Sequence, residues 1–520
     1  MHYRKSKVGK RNLNKNRIRV QYSGFIIFSS QLLSVITGLI FTLLLTRTMS
    51  TELFGIWTNL FDYPAYFLIF SGVLPFWATR FIARGKEGTV KTGTSAQLLI
   101  AVVSTLAYLP AIFLISRAIG TQVYLLIYLI SALYIFNTYM IIVFESMLRS
   151  IRPQVIGYGL LIEELVKVGI ALIVIVELKQ VFLGAILALV ISMLVQIIYY
   201  ARLVADELKK KVNWSYIKEW LKGSPAIAFN AVGGVLLSFV FVLLFIYGGS
   251  DARAYYQVAF TFTNVIGYSS SLAFALYPVM LAKTCPENQI GESFKTVLML
   301  AIPLATLTMV MSTSFLTILN ISYSIAWPVL IVLAIDTLVV LMFNFYSSCL
   351  MGVEAFDEEG RISLRKLIKS KIFLVFGVAY IQAAIALPLT YYVLTHTVIA
   401  GPVQAAVDVV TILIFVHLST LMGLYIFRRS SMKIPIAWKS IAKYIAASLL
   451  MGSVLFLLPT TTTLVSTIAK AIAGFLLYIG LLAAVDSQAR QLIRLIFAEI
   501  KGTWQQLITK NGDNQVDQTS

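Results

Sequence analysis

The stretch YSGFIIFSSQLLSVITGLIFTLLL, residues 22–45, contains no charged side chain and no proline. Its 24 residues would extend about 36 Å as a helix, enough to cross the hydrocarbon layer of a bilayer. A secretory signal also places basic residues before an apolar run, but that run is only about 7–15 residues long. Residues 22–45 therefore read as a retained transmembrane helix behind a basic segment, 1–21.

Runs of the same kind recur along the chain. They are expected at 54–77, 93–115, 123–145, 155–176, 181–200, 225–246, 255–281, 295–318, 327–351, 372–394, 405–426, 441–458 and 468–485, making about 14 transmembrane helices. Of the 520 residues 59% are hydrophobic and 12% charged, about half the charged share of a soluble domain. Such a chain cannot cover its surface with polar groups, so lipid must solvate much of it. Barrel strands would be about ten residues long with alternating polarity. The expected fold class is an all-α polytopic membrane protein.

Charge sets the orientation. Lys and Arg number 42 against 23 Asp and Glu, a net charge of +19. On a soluble protein that excess would suggest nucleic acid; here it sits in alternate short loops, the pattern of topology and anionic-lipid contact. With the N-terminus inside, the outer loops hold only Arg47, Arg117, Lys179, Arg253 and Lys470, and Lys167 lies within a span. The bias predicts both termini on the cytoplasmic side of the cell membrane and argues against a nucleic-acid partner.

The loops leave no room for a separate soluble domain. The expected organisation is a basic N-terminus (1–21), a first six-helix bundle (22–200), an amphipathic linker (201–224), a second six-helix bundle (225–426), two additional transmembrane helices (427–485), and an amphipathic segment with a disordered tail (486–520). Within the linker, WSYIKEWLK at 214–222 reads as an interfacial helix. A faint repeat supports the two bundles: GVLP at 72–75 and ALYP at 275–278 end the second and eighth spans, with prolines 203 positions apart. An even number of spans per half gives a parallel repeat.

TRTMSTELFGIW at 46–57, ESMLRSIRP at 145–153 and LMGVE at 350–354 carry a likeness to known proteins. In layout and in these motifs the chain, from about Gln21 to Arg429, resembles the polysaccharide exporters of the multidrug/oligosaccharidyl-lipid/polysaccharide superfamily, the O-antigen flippases above all. The resemblance implies two six-helix bundles in a pseudo-twofold V, as in MATE transporters, and alternating access. The implied substrate is a polyprenyl-(di)phosphate-linked oligosaccharide. It also implies partnership with polysaccharide polymerase or glycosyltransferase machinery. The two additional C-terminal helices look more like the lipid II flippase branch or archaeal relatives.

Ionisable groups inside spans are costly and mark functional positions by default. Glu163, Glu164 and Lys167 share the fifth span; Lys167 can reach either acid, at i+4 or i+3. The excess carboxylate could bind H+ or Na+, Lys167 could bind a diphosphate, or the cluster could simply neutralise itself. Asp62 lies two residues before Pro64, which loosens the helix. Asn264 lies at the matching place in the eighth span amid Thr261, Thr263 and Ser269. Asp336 is the one acid of the tenth span, a candidate for lining a cavity or coupling to an ion. His417 in the twelfth span could titrate, but a lone histidine is more often a packing residue; Asp408 reads as solvated. Arg80, Arg84, Arg149 and Arg152 could attract a diphosphate in a guanidinium fork or merely set topology.

Other chemistries find little support. The chain has no G-x-x-x-x-G-K-[ST] loop and no H-E-x-x-H, and its acidic run DEE at 357–359 falls in a cytoplasmic loop. Two cysteines (Cys285, Cys349) and three dispersed histidines (His2, His396, His417) define no metal or disulfide framework. No cofactor is expected. A cation-coupled drug or metabolite antiporter on the same scaffold is the alternative function.

Overall fold

The computed structural model describes residues 30, 33–34, 36–152, 154–269, 287–353, 371–397, 400–429, 437–486 and 490. Residues 1–21, DEE 357–359, Cys285, His2, the repeat motif 275–278 and nearly all of 486–520 lie outside the described residues.

The first bundle begins with α1 (Ile36–Thr48), α2 (Thr51–Asn59), α3 (Pro64–Phe67) and α4 (Val73–Ala83). It continues with α5 (Thr89–Ala118), α6 (Leu125–Ile130), α7 (Ala132–Ile151), α8 (Gln154–Ala171) and α9 (Val181–Leu203). After the short α10 (Ala205–Leu208) come α11 (Trp214–Gly248) and α12 (Ser250–Gly267). The remaining helices are α13 (Glu287–Val310), α14 (Ser312–Leu319), α15 (Trp327–Val353), α16 (Lys371–His396) and α17 (Pro402–Arg429). Last come α18 (Trp438–Leu457) and α19 (Leu464–Val485). Every described regular element is a helix, as a chain that must satisfy its backbone inside lipid requires.

Among the described residues ten helical segments are long and apolar enough to cross a membrane. Of the expected fourteen, the first and the eighth extend beyond the described residues, while the second and the fifth differ for local reasons. The second span is not one helix but three pieces, α2, α3 and α4, broken from Leu60 to Ser71. Pro64 caps the middle piece at its first turn, where a missing N–H costs nothing. The carbonyls freed by the break find new donors: Tyr139 Oη donates to Phe67 O (2.7 Å) and Gln97 Nε2 to Ser71 O (2.7 Å). α8 is apolar but carries Glu163, Glu164 and Lys167, and α12 carries Asp251 and Arg253.

The linker helix also differs. Residues 214–222 form the first turns of α11, which runs on through Pro225 to Gly248. One side of this stretch is covered by protein: Trp220 is fully buried, edge-on to Phe81 (5.5 Å between ring centres), while Trp214 and Leu221 are exposed. Trp77 lies against Gly223, where a larger residue would collide with its indole.

α11 and α12 turn back on one another through a single residue. Gly249 takes φ 91°, a conformation that side-chain-bearing residues rarely adopt. The sharp turn packs the start of α12 along α2 of the first bundle.

Candidate functional site

Asp62 sits in the break between α2 and α3, and Arg253 one turn into α12. Their side chains meet across the two bundles. Arg253 Nε donates to Asp62 Oδ2 (3.0 Å) and Nη2 to Oδ1 (2.9 Å), the bidentate fork that fixes a guanidinium plane. Asn59 Nδ2 also donates to Asp62 Oδ2 (3.2 Å), and Arg253 Nη1 donates to Gln257 Oε1 (3.0 Å). The Arg253 side chain is 6% exposed and that of Asp62 11%. Phe241 and Tyr256 flank the guanidinium at 5.4 and 5.6 Å. The ionisable group beside the proline break is thus held by its partner's charge, as a buried carboxylate must be.

Arg253 corrects the sequence reading. Counted among the outer-loop residues, it is buried inside a helix and faces a cavity. Arg253, Gln257 and Thr261 line a cavity of about 270 Å³, opposite Phe41 of α1 and Trp57 and Phe61 at the end of α2. A polar residue at every fourth position marks one helix face, and that stripe was visible in the sequence. Asn264 is not brought to this cavity: it is exposed, while Thr263 is buried and bonds the Phe260 carbonyl.

The helix ends nearby tie the bundles further. Arg47 Nη2 donates to the Ile318 carbonyl (2.8 Å) and Asn320 Nδ2 to the Thr46 carbonyl (3.2 Å). Gly55 lies so close to Ser250 that a methyl group would run into the Ser250 carbonyl. This end of the molecule is the one with few basic residues.

Glu164 and Lys167 pair at 2.8 Å, deep within the first bundle. Glu164 also accepts from Ser34 Oγ (2.9 Å) and Thr37 Oγ1 (2.7 Å). The three-residue spacing wins over the four-residue one. Glu163 is half-buried and makes no hydrogen bond or ion pair among the described residues.

In the second bundle His417 Nδ1 lies 2.7 Å from Asp336 Oδ1, joining α15 to α17. The side chains are 13% and 8% exposed. Sequence reasoning named the acid and discounted the histidine, because their 81-residue separation gives no local sign of contact.

At the opposite end of the first bundle Arg80 and Arg149 line a second cavity, of about 430 Å³, with Phe76 and Glu145. Arg80 lies over the Phe76 ring at 4.3 Å. Arg84 and Arg152 are exposed and do not line it. The described residues contain no group of three or more His, Cys, Asp or Glu placed to hold a metal.

Residues 22–284 match the polysaccharide biosynthesis protein family, just over half of the chain. The chain belongs to that family. No curated protein sequence matches this polysaccharide biosynthesis protein. Its fold is that of known transporters. A structure of the lipid II flippase MurJ in an inward closed conformation superposes with TM-score 0.65 at 15% identity, covering 90% of this chain and all of the other. An inward-facing multidrug resistance MATE transporter of the MOP superfamily gives 0.56 at 12% identity, covering 76% and 96%. A MOP superfamily transporter from Pyrococcus furiosus, described as having a binding pocket of reverse polarity, gives 0.51 at 14%, covering 79% and 94%. At these identities the likeness is one of fold, and it extends the resemblance read from the motifs to the whole architecture: a multi-pass membrane protein of the MurJ and MATE type.

Proposed function

We propose that this protein is a flippase that carries a polyprenyl-diphosphate-linked oligosaccharide from the inner to the outer leaflet of the cytoplasmic membrane. The observation that carries the reading is Arg253 in the wall of the cavity between the bundles. A sugar diphosphate cannot enter hydrocarbon unaided; a guanidinium released from Asp62 offers it a fork of donors. Trp57 and Phe61 supply aromatic faces for the sugar rings, and Gln257 and Thr261 supply polar partners for hydroxyls.

Family membership supports the substrate class, and the fold supports alternating access. The bias of basic residues supports cytoplasmic termini, and in that orientation the end closed by Asp62–Arg253, Arg47–Ile318 and Asn320–Thr46 faces outward. The state described is then closed to the outside. The protein performs no covalent chemistry of its own; polymerase or glycosyltransferase machinery consumes what it delivers. The described lining of the cavity carries Arg253 and no carboxylate, which argues against an antiporter of cationic drugs.

The test is the sidedness of lipid-linked oligosaccharide in cells lacking the protein, probed with an impermeant lectin. Accumulation of complete, inward-facing glycolipid supports the reading. Unchanged glycolipid with altered resistance to cationic drugs overturns it in favour of the antiporter.

A further inference from the structure

We propose that Gln257 keeps Arg253 in the cavity wall when Asp62 lets go, and that its amide nitrogen is a second donor to the diphosphate. The inference rests on the flippase reading and adds a positioning residue to its site.

Arg253 is held from two sides. Its two bonds to Asp62, at 3.0 and 2.9 Å, cross from one bundle to the other, and opening the outer end has to break them. The third bond, from Nη1 to Gln257 Oε1 (3.0 Å), stays within α12. Residues four apart lie one above the other on a helix face, so Gln257 travels with Arg253. Phe241 of α11 and Tyr256 of α12 flank the guanidinium and travel with it too. Apart from Asp62, these described partners of Arg253 all belong to the second bundle.

The guanidinium also fixes the amide. It has donors only, so the oxygen of Gln257 must face it and the nitrogen must face away. The cavity lies there, since Gln257 lines it and is the one residue of 252–259 that is not buried. Among the described residues no acceptor takes the protons of this nitrogen. Thr261, one turn further, donates its hydroxyl proton to the Gln257 carbonyl (3.0 Å) and can only accept from a ligand. The polar wall therefore presents donors at Arg253 and Gln257 and an acceptor at Thr261.

The ionised oxygens of a diphosphate are acceptors. Once Asp62 has left, the edge it occupied, Nε and Nη2, meets one phosphate group in the same fork geometry. The Gln257 nitrogen, one turn along, meets the next, and its second proton is left for a sugar hydroxyl. One edge of a guanidinium cannot serve Asp62 and a phosphate together. The diphosphate therefore competes with Asp62, and loading the site unlocks the outer end. Asp62 keeps the Asn59 donor (3.2 Å) as it leaves. Without Gln257 the released guanidinium has no polar anchor on its own bundle among the described residues.

The test uses the full-length protein in right-side-out vesicles, with T58C as the reporter and an impermeant maleimide added outside. The probe is a short-chain polyprenyl diphosphate without a glycan, and the matching polyprenol is the control. In the T58C parent the diphosphate raises labelling and the alcohol does not. Adding Q257M leaves resting labelling low, since both Asp62 bonds remain, and moves the diphosphate response to about tenfold higher concentration. Adding Q257E puts a competing carboxylate beside Arg253 and raises labelling at rest. Equal diphosphate responses in the parent and Q257M overturn the proposal and leave the flippase reading standing. A parent that does not respond to diphosphate fails the flippase reading at this cavity and the donor role with it. Guanidinium NMR of isotope-labelled protein then decides the holding role. The Arg253 Nη signal, identified by its absence from R253K, is expected to stay resolved in D62N and to average away in D62N/Q257M; the same signal in both variants overturns it.

Discussion

Arg253 reaches across from the second bundle and grips Asp62 of the first through two parallel hydrogen bonds of 3.0 and 2.9 Å. The contact has two consequences that can be separated. It closes one end of the molecule, and it aims a guanidinium at the cavity.

Removing one partner of a buried pair leaves an uncompensated charge and costs about 3–5 kcal/mol. R253A and D62N are both expected to raise the accessibility of a cysteine placed at Thr58 to an impermeant maleimide added outside. The exchange variant, Asp62→Arg with Arg253→Asp, is expected to restore protection but not export, because the cation then sits on the wrong wall. Full export by the exchange variant would show that Arg253 serves closure alone.

Gly55 allows α2 and α12 to touch at Ser250. Gly55→Ala pushes a methyl into the Ser250 carbonyl, so the outer ends must separate. The expected result is the same rise in outside labelling with both charged partners intact. Unchanged labelling would mean that the helices approach less closely in the membrane.

Glu164 and Lys167 are saturated by each other and by Ser34 and Thr37. Either single variant, E164Q or K167M, is expected to lose about 3–5 kcal/mol of stability and to lower membrane abundance. The double variant, with no charge left to strand, is expected to recover much of it. Thermal unfolding in detergent checks the order. E163Q, which breaks no ion pair among the described residues, is expected to unfold near the wild-type temperature.

Arg80 and Arg149 line the second cavity beside the aromatic ring of Phe76. If they attract the diphosphate on its way in, R80A/R149A raises the glycan concentration needed for half-maximal export while the maximal rate stands. A changed topology with unchanged concentration dependence would assign them to orientation instead. Exposed Arg149 is expected to contribute less than about 0.5 kcal/mol to stability.

The sequence left open whatever depends on distance in space. Arg253 counted as an outer-loop charge because it lies near the start of an apolar run; only the turn at Gly249 and the packing of α12 on α2 carry it inward. His417 carries no local sign of its partner Asp336, and Asn264, singled out by its polar neighbours, is exposed and does not line the cavity that Arg253 faces. The segment at 214–222 has the pattern of a surface helix, with Trp214 and Leu221 exposed, and the packing that buries Trp220 against Phe81 has no signature in its own residues.

What the sequence determined by itself is the class of the molecule: helices, most of them long enough to span, with basic loops on one side and acids at Asp62, Glu163, Glu164 and Asp336. These follow from local rules, since a backbone in hydrocarbon must bond within its own helix and a charge in a span must find a partner. The tertiary structure alone decided which partner. Asp62 and Arg253 are 191 residues apart, and Asp336 and His417 are 81. No helical period reaches that far; the pairs exist because the packing of whole helices brings their faces within hydrogen-bond distance.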